Sequence, residues 1–384
     1  MMFIDGDVVA VHSYWTEDGS RIVTDATVRT ADGQDVVVNQ PGGSVDGIGM
    51  ITMPGPGILE VGMHVAVAGY TALDLSQREH VVLDSVRVID YPPGFVRTGP
   101  TKAGNPLYWE SGCAFVTVDA AGTTALSGDQ EFAIIDAAID EWNTKTASCS
   151  YFKVVNSGRK SVEAINDKVN VIKFRDLPHL CQNGMTSWGE RPATATAPAN
   201  CYSPQAAGLT TAVYVDDATS ARDGAIIDAD IELNGVNFAI SANGVTNSEQ
   251  LCHAELQNTL THELGHLHGL EHPCYVGINP NRIDNEGNPV PACGPGNPPK
   301  ILDATMYNFQ DCGETKKETL SDDDIQSMCV IYPKAQDPGA CEPVAKTGGG
   351  CCSASGPDRG DLSLLLAGTT VLIMMRRRKS SRAA

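Results

Sequence analysis

Residues 262–272 read His-Glu-Leu-Gly-His-Leu-His-Gly-Leu-Glu-His, and no other stretch restricts the possible folds of the chain as tightly. His262 and His266 are four apart, so on an α-helix both imidazoles leave one face and can share a cation. Glu263 adjoins the first of them. From there a carboxylate reaches a water held by that cation, which suits a general base. Gly269 allows the positive φ of a sharp turn, which swings the chain back so that His272 can supply a third nitrogen. Pro273 prevents the helix resuming. Three neutral nitrogens leave a fourth tetrahedral position open, the layout of a catalytic zinc site. Two competing readings are a helix that carries histidines by chance and a metal site without activity. Five fixed positions in eleven residues speak against the first, and the retained Glu263 against the second. His268 and His253 read as bystanders.

The surrounding pattern is α+β. Leu256, Leu260, Leu264 and Leu267 line one face of a helix expected over about 248–267. Phe132, Ile135, Ile139 and Trp142 do the same for a helix over 127–144. Strands are expected at 107–119, 169–174, 211–215 and 226–238. A last helix begins at Ser321, where Ser321 and Asp324 form a capping-box pair, and Pro333 stops it. Before residue 98 there is no cysteine and no cluster of catalytic residue types. Short β-rich runs at 8–14, 22–29, 35–38, 64–68 and 80–88 alternate with turns, notably 41–47 and 54–57, and suggest a small barrel or sandwich. His12, His64 and His80 are scattered there and read as solvated or core residues. The expected organisation is an all-β domain at 1–98, a linker at 99–106, the zinc domain at 107–335, a Gly/Cys linker at 336–361 and a tail at 362–384.

Composition sets the compartment and excludes one class of partner. The 384 residues suggest two or three domains. With 27 basic against 47 acidic side chains the net charge is −20, which argues against a nucleic-acid binder. Ten of the 12 cysteines lie between Cys113 and Cys341 with no C-x-x-C knuckle, so disulfides in an exported protein fit better than a cysteine zinc cluster. Cys181–Cys201 and Cys274–Cys293 are the expected local staples. Met1–Trp15 has neither a basic start nor an apolar run of signal length. Either the chain is cytosolic or the given start lies downstream of the true one, and the cysteines and the C-terminus favour the second. Leu362–Met375 carries no charge and is followed by Arg376-Arg377-Arg378-Lys379. It is short for a span of about 20 residues, and the basic cluster would place the body of the protein outside.

HELGHLHGLEH resembles the metzincin signature H-E-x-x-H-x-x-G-x-x-H. Ala304-Thr305-Met306-Tyr307 looks like the Met-turn of that family, 34 residues after His272. Within metzincins the likeness is to the matrixins, through the Met-Tyr pair, LSDDDIQSMCVIYP at 320–333 and DADIELN at 228–234. It covers about 104–333. It implies a zinc endopeptidase with a twisted five-stranded sheet and three helices. It further implies Glu263 as general base, His262, His266 and His272 as zinc ligands, and Met306 as the floor beneath them. Asp228–Asn234 would be the edge strand holding a polypeptide substrate, through Ile231 and Leu233, with Tyr307 bordering the pocket after the scissile bond. Asn308 departs from the usual Pro, and neither the cysteine switch nor the histidine-rich loop for a second zinc is present. Asp216, Asp217 and Asp223 could hold calcium; solvated loop acids are the competing reading. GGGCCS at 348–353 with the apolar segment and Arg cluster resembles the myxobacterial-type C-terminal sorting tag. That likeness implies membrane association through the tail before processing near Cys351–Cys352, then surface attachment or release; a plain tail anchor is the alternative. The expectation is a monomeric, exported zinc metalloendopeptidase. The rival is a surface adhesion or binding module with a vestigial protease domain.

Overall fold

A computed structural model describes residues 2–30, 32–53, 59, 61, 64–73, 79–85, 94–181, 184–190, 201–247, 251–276, 282–285 and 287–344. The chain begins with β1 (Met2–Trp15), β2 (Ile22–Thr30), β3 (Asp35–Pro41), β4 (Gly43–Val45), β5 (Ile48–Met53), β6 (His64–Leu73), β7 (Glu79–Ser85) and β8 (Val96–Arg97). It continues with β9 (Cys113–Asp119), α1 (Gln130–Thr146), β10 (Lys153–Lys160), β11 (Asn170–Arg175), β12 (His179–Leu180), β13 (Thr186–Ser187), β14 (Gly208–Val215) and β15 (Ile226–Asn234). Last come β16 (Ala239–Ser241), β17 (His253–Glu255), α2 (Leu256–Leu267), β18 (Leu270–Glu271), α3 (Pro299–Leu302) and α4 (Asp322–Ile331). The class is α+β, dominated by strands.

Five strands close into a barrel in the order β1-β2-β3-β7-β6. Alternation builds it: successive residues of β2 switch between buried and half-buried, which puts Ala26 and Val28 in a small core with Ile4, Val8 and Val38. The segment 41–47, expected as a plain turn, does more. Gly42 and Gly43 take φ of +96° and +136°, and a Cβ on Gly43 would lie 2.2 Å from Thr24 Oγ1. These two glycines carry the chain out of the barrel and into β4 and β5, which join a different sheet.

That sheet has seven strands, in the order β10-β9-β11-β15-β14-β5-β4. β10, β9, β11 and β15 are parallel; β14, β5 and β4 continue antiparallel. The expected five strands are therefore extended by two that precede residue 98. One face packs on α1 and α2, where Ile231 and Leu233 meet Trp142, Leu260 and Leu264 in the main core. Trp142 Nε1 donates to Thr261 O at 2.9 Å, locking the two helices together. The opposite face of β15 carries Asp228, Asp230 and Glu232, all buried. Arg21, just before β2, reaches Glu232 at 2.8 Å, and Arg175 on β11 meets the other oxygen of the same carboxylate at 2.5 Å. The polar half of DADIELN is thus a buried ionic layer and not a solvated face.

Three expectations need correction. Asp228–Asn234 is not an edge: β15 lies between β11 and β14, so its backbone is paired on both sides. The helix that carries His262 and His266 starts at Leu256 and not near 248, because Glu255 caps it by accepting Asn258 N at 2.7 Å while His253–Glu255 pairs with β16. Ser321 does precede α4, yet its hydroxyl donates to the Asp324 carboxylate and accepts no backbone N–H of the helix. Among the described residues three main helices are present as expected, with the single-turn α3 in addition.

Five disulfides pair all ten central cysteines: Cys113–Cys341, Cys149–Cys329, Cys181–Cys201, Cys252–Cys312 and Cys274–Cys293. Both expected local staples are among them, and the pattern fits an oxidising compartment. Among the described residues no helix is long and apolar enough to cross a membrane. The expected tail and Cys351–Cys352 lie outside the described residues.

Candidate metal centre

α2 delivers His262 and His266 on one face, as their spacing requires. Gly269, at φ +90°, then turns the chain, and its missing Cβ leaves room for Leu107 O, which would lie 2.9 Å from it. The return strand β18 brings His272 to the other two. Nε2 of His272 lies 3.2 Å from Nε2 of His262 and 3.1 Å from Nε2 of His266. Among the described residues these three form the one group of three His, Cys, Asp or Glu side chains able to hold an ion.

The opposite ring nitrogens test whether a metal belongs there. His262 Nδ1 donates to Thr305 O at 2.7 Å and His266 Nδ1 to Leu270 O at 2.9 Å. His272 Nδ1 lies 3.2 Å from Glu271 Oε1. Each proton is therefore placed on Nδ1, and each Nε2 presents a lone pair. Three lone pairs facing one another at that spacing repel unless a cation sits between them. Tetrahedral Zn–N bonds of about 2.0–2.1 Å separate the nitrogens by roughly 3.3 Å, close to what is seen. Burial holds all three imidazoles below the usual histidine range, His266 at about 4, so they are neutral.

Glu263 is buried beside the histidines, and burial pushes its carboxyl up to about 8. Thr210 on β14 opposes that shift by donating its hydroxyl to Glu263 Oε2 at 2.6 Å. Met306 packs beneath α2: a Cβ on Gly265 would lie 2.1 Å from Met306 Sδ, so the glycine inside the motif is what lets the sulfur approach. Tyr307 follows and is buried with Cys274 and Ile301.

Other expected site residues lie elsewhere. Ile231 and Leu233 are 0% and 1% exposed in the helix-side core, with no surface to offer a substrate. His268 packs at a tilt against Trp142, with ring centroids 4.6 Å apart, and donates to Leu264 O, a core role. Asp217 caps its own turn through Thr219, whereas Asp216 and Asp223 are buried and bond Lys102 N, Thr101 and Asn105.

Sequence reasoning missed three contributors. Glu271 accepts the backbone N–H of His272 at 3.0 Å as well as facing its ring, and its second oxygen lies 3.3 Å from Arg282. Its place beside the last histidine was the available signal. Thr210 comes from a distant strand and had none. Lys317 is buried and donates to the carbonyls of Tyr307 and Phe309, pinning the segment after Met306. Within Lys-Lys-Glu it reads as a solvated charge. No family model matches this sequence, and no curated protein does.

Proposed function

We propose that the chain is an exported zinc metalloendopeptidase of the metzincin type, similar to the matrixins, acting on polypeptide. The observation that carries the reading is the convergence of three neutral Nε2 lone pairs, each fixed by an engaged Nδ1, with a buried carboxylate alongside. Metal ligands held by such partners keep one tautomer and one orientation. When bound, zinc supplies Lewis acidity toward a carbonyl and toward water. Glu263 takes a proton from the attacking water and hands it to the departing amine. Thr210 holds one of its oxygens, Glu271 aims His272, and Met306 supports the helix below. Asn308 stands where matrixins usually have Pro. Surface attachment or release through the C-terminal tag belongs to the same proposal.

The test is Glu263→Gln in the full chain. The variant should bind one zinc, as the parent does, while cleavage of a casein or gelatin substrate falls by about 10²–10⁴. Undiminished cleavage by that variant would refute the assigned chemistry.

A further inference from the structure

β14 is the strand that runs past the general base. Thr210 bonds Glu263, and Glu263 packs on Gly208 so closely that a Cβ there would lie 2.7 Å from Oε1. An extended polypeptide presented to Glu263 by strand addition would have to lie along this strand. The place is already taken. β5 runs antiparallel to β14 from Ile48 opposite Val215 to Met53 opposite Thr210. Opposed residues in a ladder project to the same face, so Met53 points, like Thr210, toward α2. Met53 is 1% exposed, and its sulfur lies 3.1 Å from Thr98 Oγ1, whose proton goes to Leu270 O at 2.9 Å. β8 meanwhile pairs with β18, Val96 opposite Glu271, one residue from His272. Two segments that precede residue 98 therefore flank the metal centre, and His262, Glu263 and His272 are 7%, 2% and 5% exposed.

We propose that β5 is an intramolecular occupant of the substrate cleft, and that the chain is latent until β5 leaves β14. The inference rests on the peptidase reading above. It also assigns the substrate strand to Gly208–Val215, in place of Asp228–Asn234.

Two perturbations of the full chain test it. Gly49→Val introduces a Cβ 2.4 Å from the Tyr214 ring, at the end of β5 away from the metal centre. The second is a specific protease site inserted in the exposed turn 102–104 and cut in place, which carries the test if Gly49→Val fails to fold. Both are compared with the uncut parent for zinc content, amide exchange at 210–215, binding of a labelled IGMITM peptide and hydrolysis of an unstructured fluorogenic peptide. The parent should show protected amides, no IGMITM binding and slow hydrolysis. The displaced forms should bind IGMITM and hydrolyse at least tenfold faster, and added IGMITM should suppress that gain. Equal hydrolysis by all zinc-loaded forms would make β5 a permanent strand and overturn latency while the peptidase reading stands. Displaced forms that bind both zinc and IGMITM yet cut nothing would overturn the peptidase reading and latency with it.

Discussion

Glu271 offers a measurement of how the proposed metal site is held that needs no substrate. One oxygen of its carboxylate lies 3.2 Å from His272 Nδ1 and accepts His272 N at 3.0 Å, and the other lies 3.3 Å from Arg282. Loss of such a partner typically weakens metal binding 10–100-fold, or about 1.4–2.7 kcal/mol. Glu271→Gln keeps an acceptor oxygen and should fall near tenfold; Glu271→Ala removes it and should approach a hundredfold. Stability responds separately. Arg282 loses its charge partner, and an orphaned buried charge costs roughly 3–5 kcal/mol. Side-chain exposures of 13% and 10% put this pair at or below the low end of that range. Glu271→Gln/Arg282→Gln should therefore recover stability and leave zinc affinity as low as in Glu271→Gln. Competition against a chromophoric chelator gives the affinity and urea melts of the zinc-free protein give the stability. Zinc affinity unchanged within twofold in Glu271→Ala, with the fold intact, would refute the orienting role.

Other outcomes follow from packing, titration and covalent constraint. Gly265→Val places side-chain atoms where Met306 Sδ and Trp142 sit, and should lower stability by about 1–3 kcal/mol in thermal melts; an unchanged melt would contradict the close approach. Burial raises the Asp228 carboxyl from 3.8 to about 7, so the folded state holds a proton that the unfolded chain releases. That stabilisation is complete below about pH 4 and is lost as pH rises through 7, the sign linkage requires for a raised acid. Asp228→Asn should flatten the difference between urea midpoints at pH 5 and pH 7.5, and an unaltered difference would refute the assignment. Replacing Cys252 and Cys312 with Ser opens a loop of sequence separation 60 that joins the approach to α2 with the segment after Met306. The loss should be about 2–4 kcal/mol, and a calorimetric change under 0.5 kcal/mol would count against it.

What could be read from the sequence was local. His262, His266 and Gly269 declare their geometry through spacing and a glycine φ, and the structure places them accordingly. Trp142 and Leu264 fall on helix faces that periodicity identifies. The misreadings are all long-range. DADIELN alternates polar and apolar residues, which is the pattern of a half-exposed strand. Arg21 and Arg175, 211 and 57 residues from Glu232, neutralise its polar face and allow burial. IGMITM has no alternation and follows a Gly-rich turn, so nothing in it announces a strand that pairs with β14. Thr210 and Lys317 acquire their roles only when distant elements meet Glu263 and Tyr307.

The distribution of covalent bonds along the chain has a mechanical consequence. Every disulfide begins at or after Cys113, so the barrel, β4 and β5 are fastened to the rest without a covalent cross-link: by strand ladders, by Arg21 on Glu190 and Glu232, by the burial of Ile22, Met50 and Met53 against the sheet, and by one stretch of backbone. A cut in that backbone near residue 103 would leave no covalent bond between the first quarter of the molecule and the stapled remainder, so that only ladders, ion pairs and packing would still join the two.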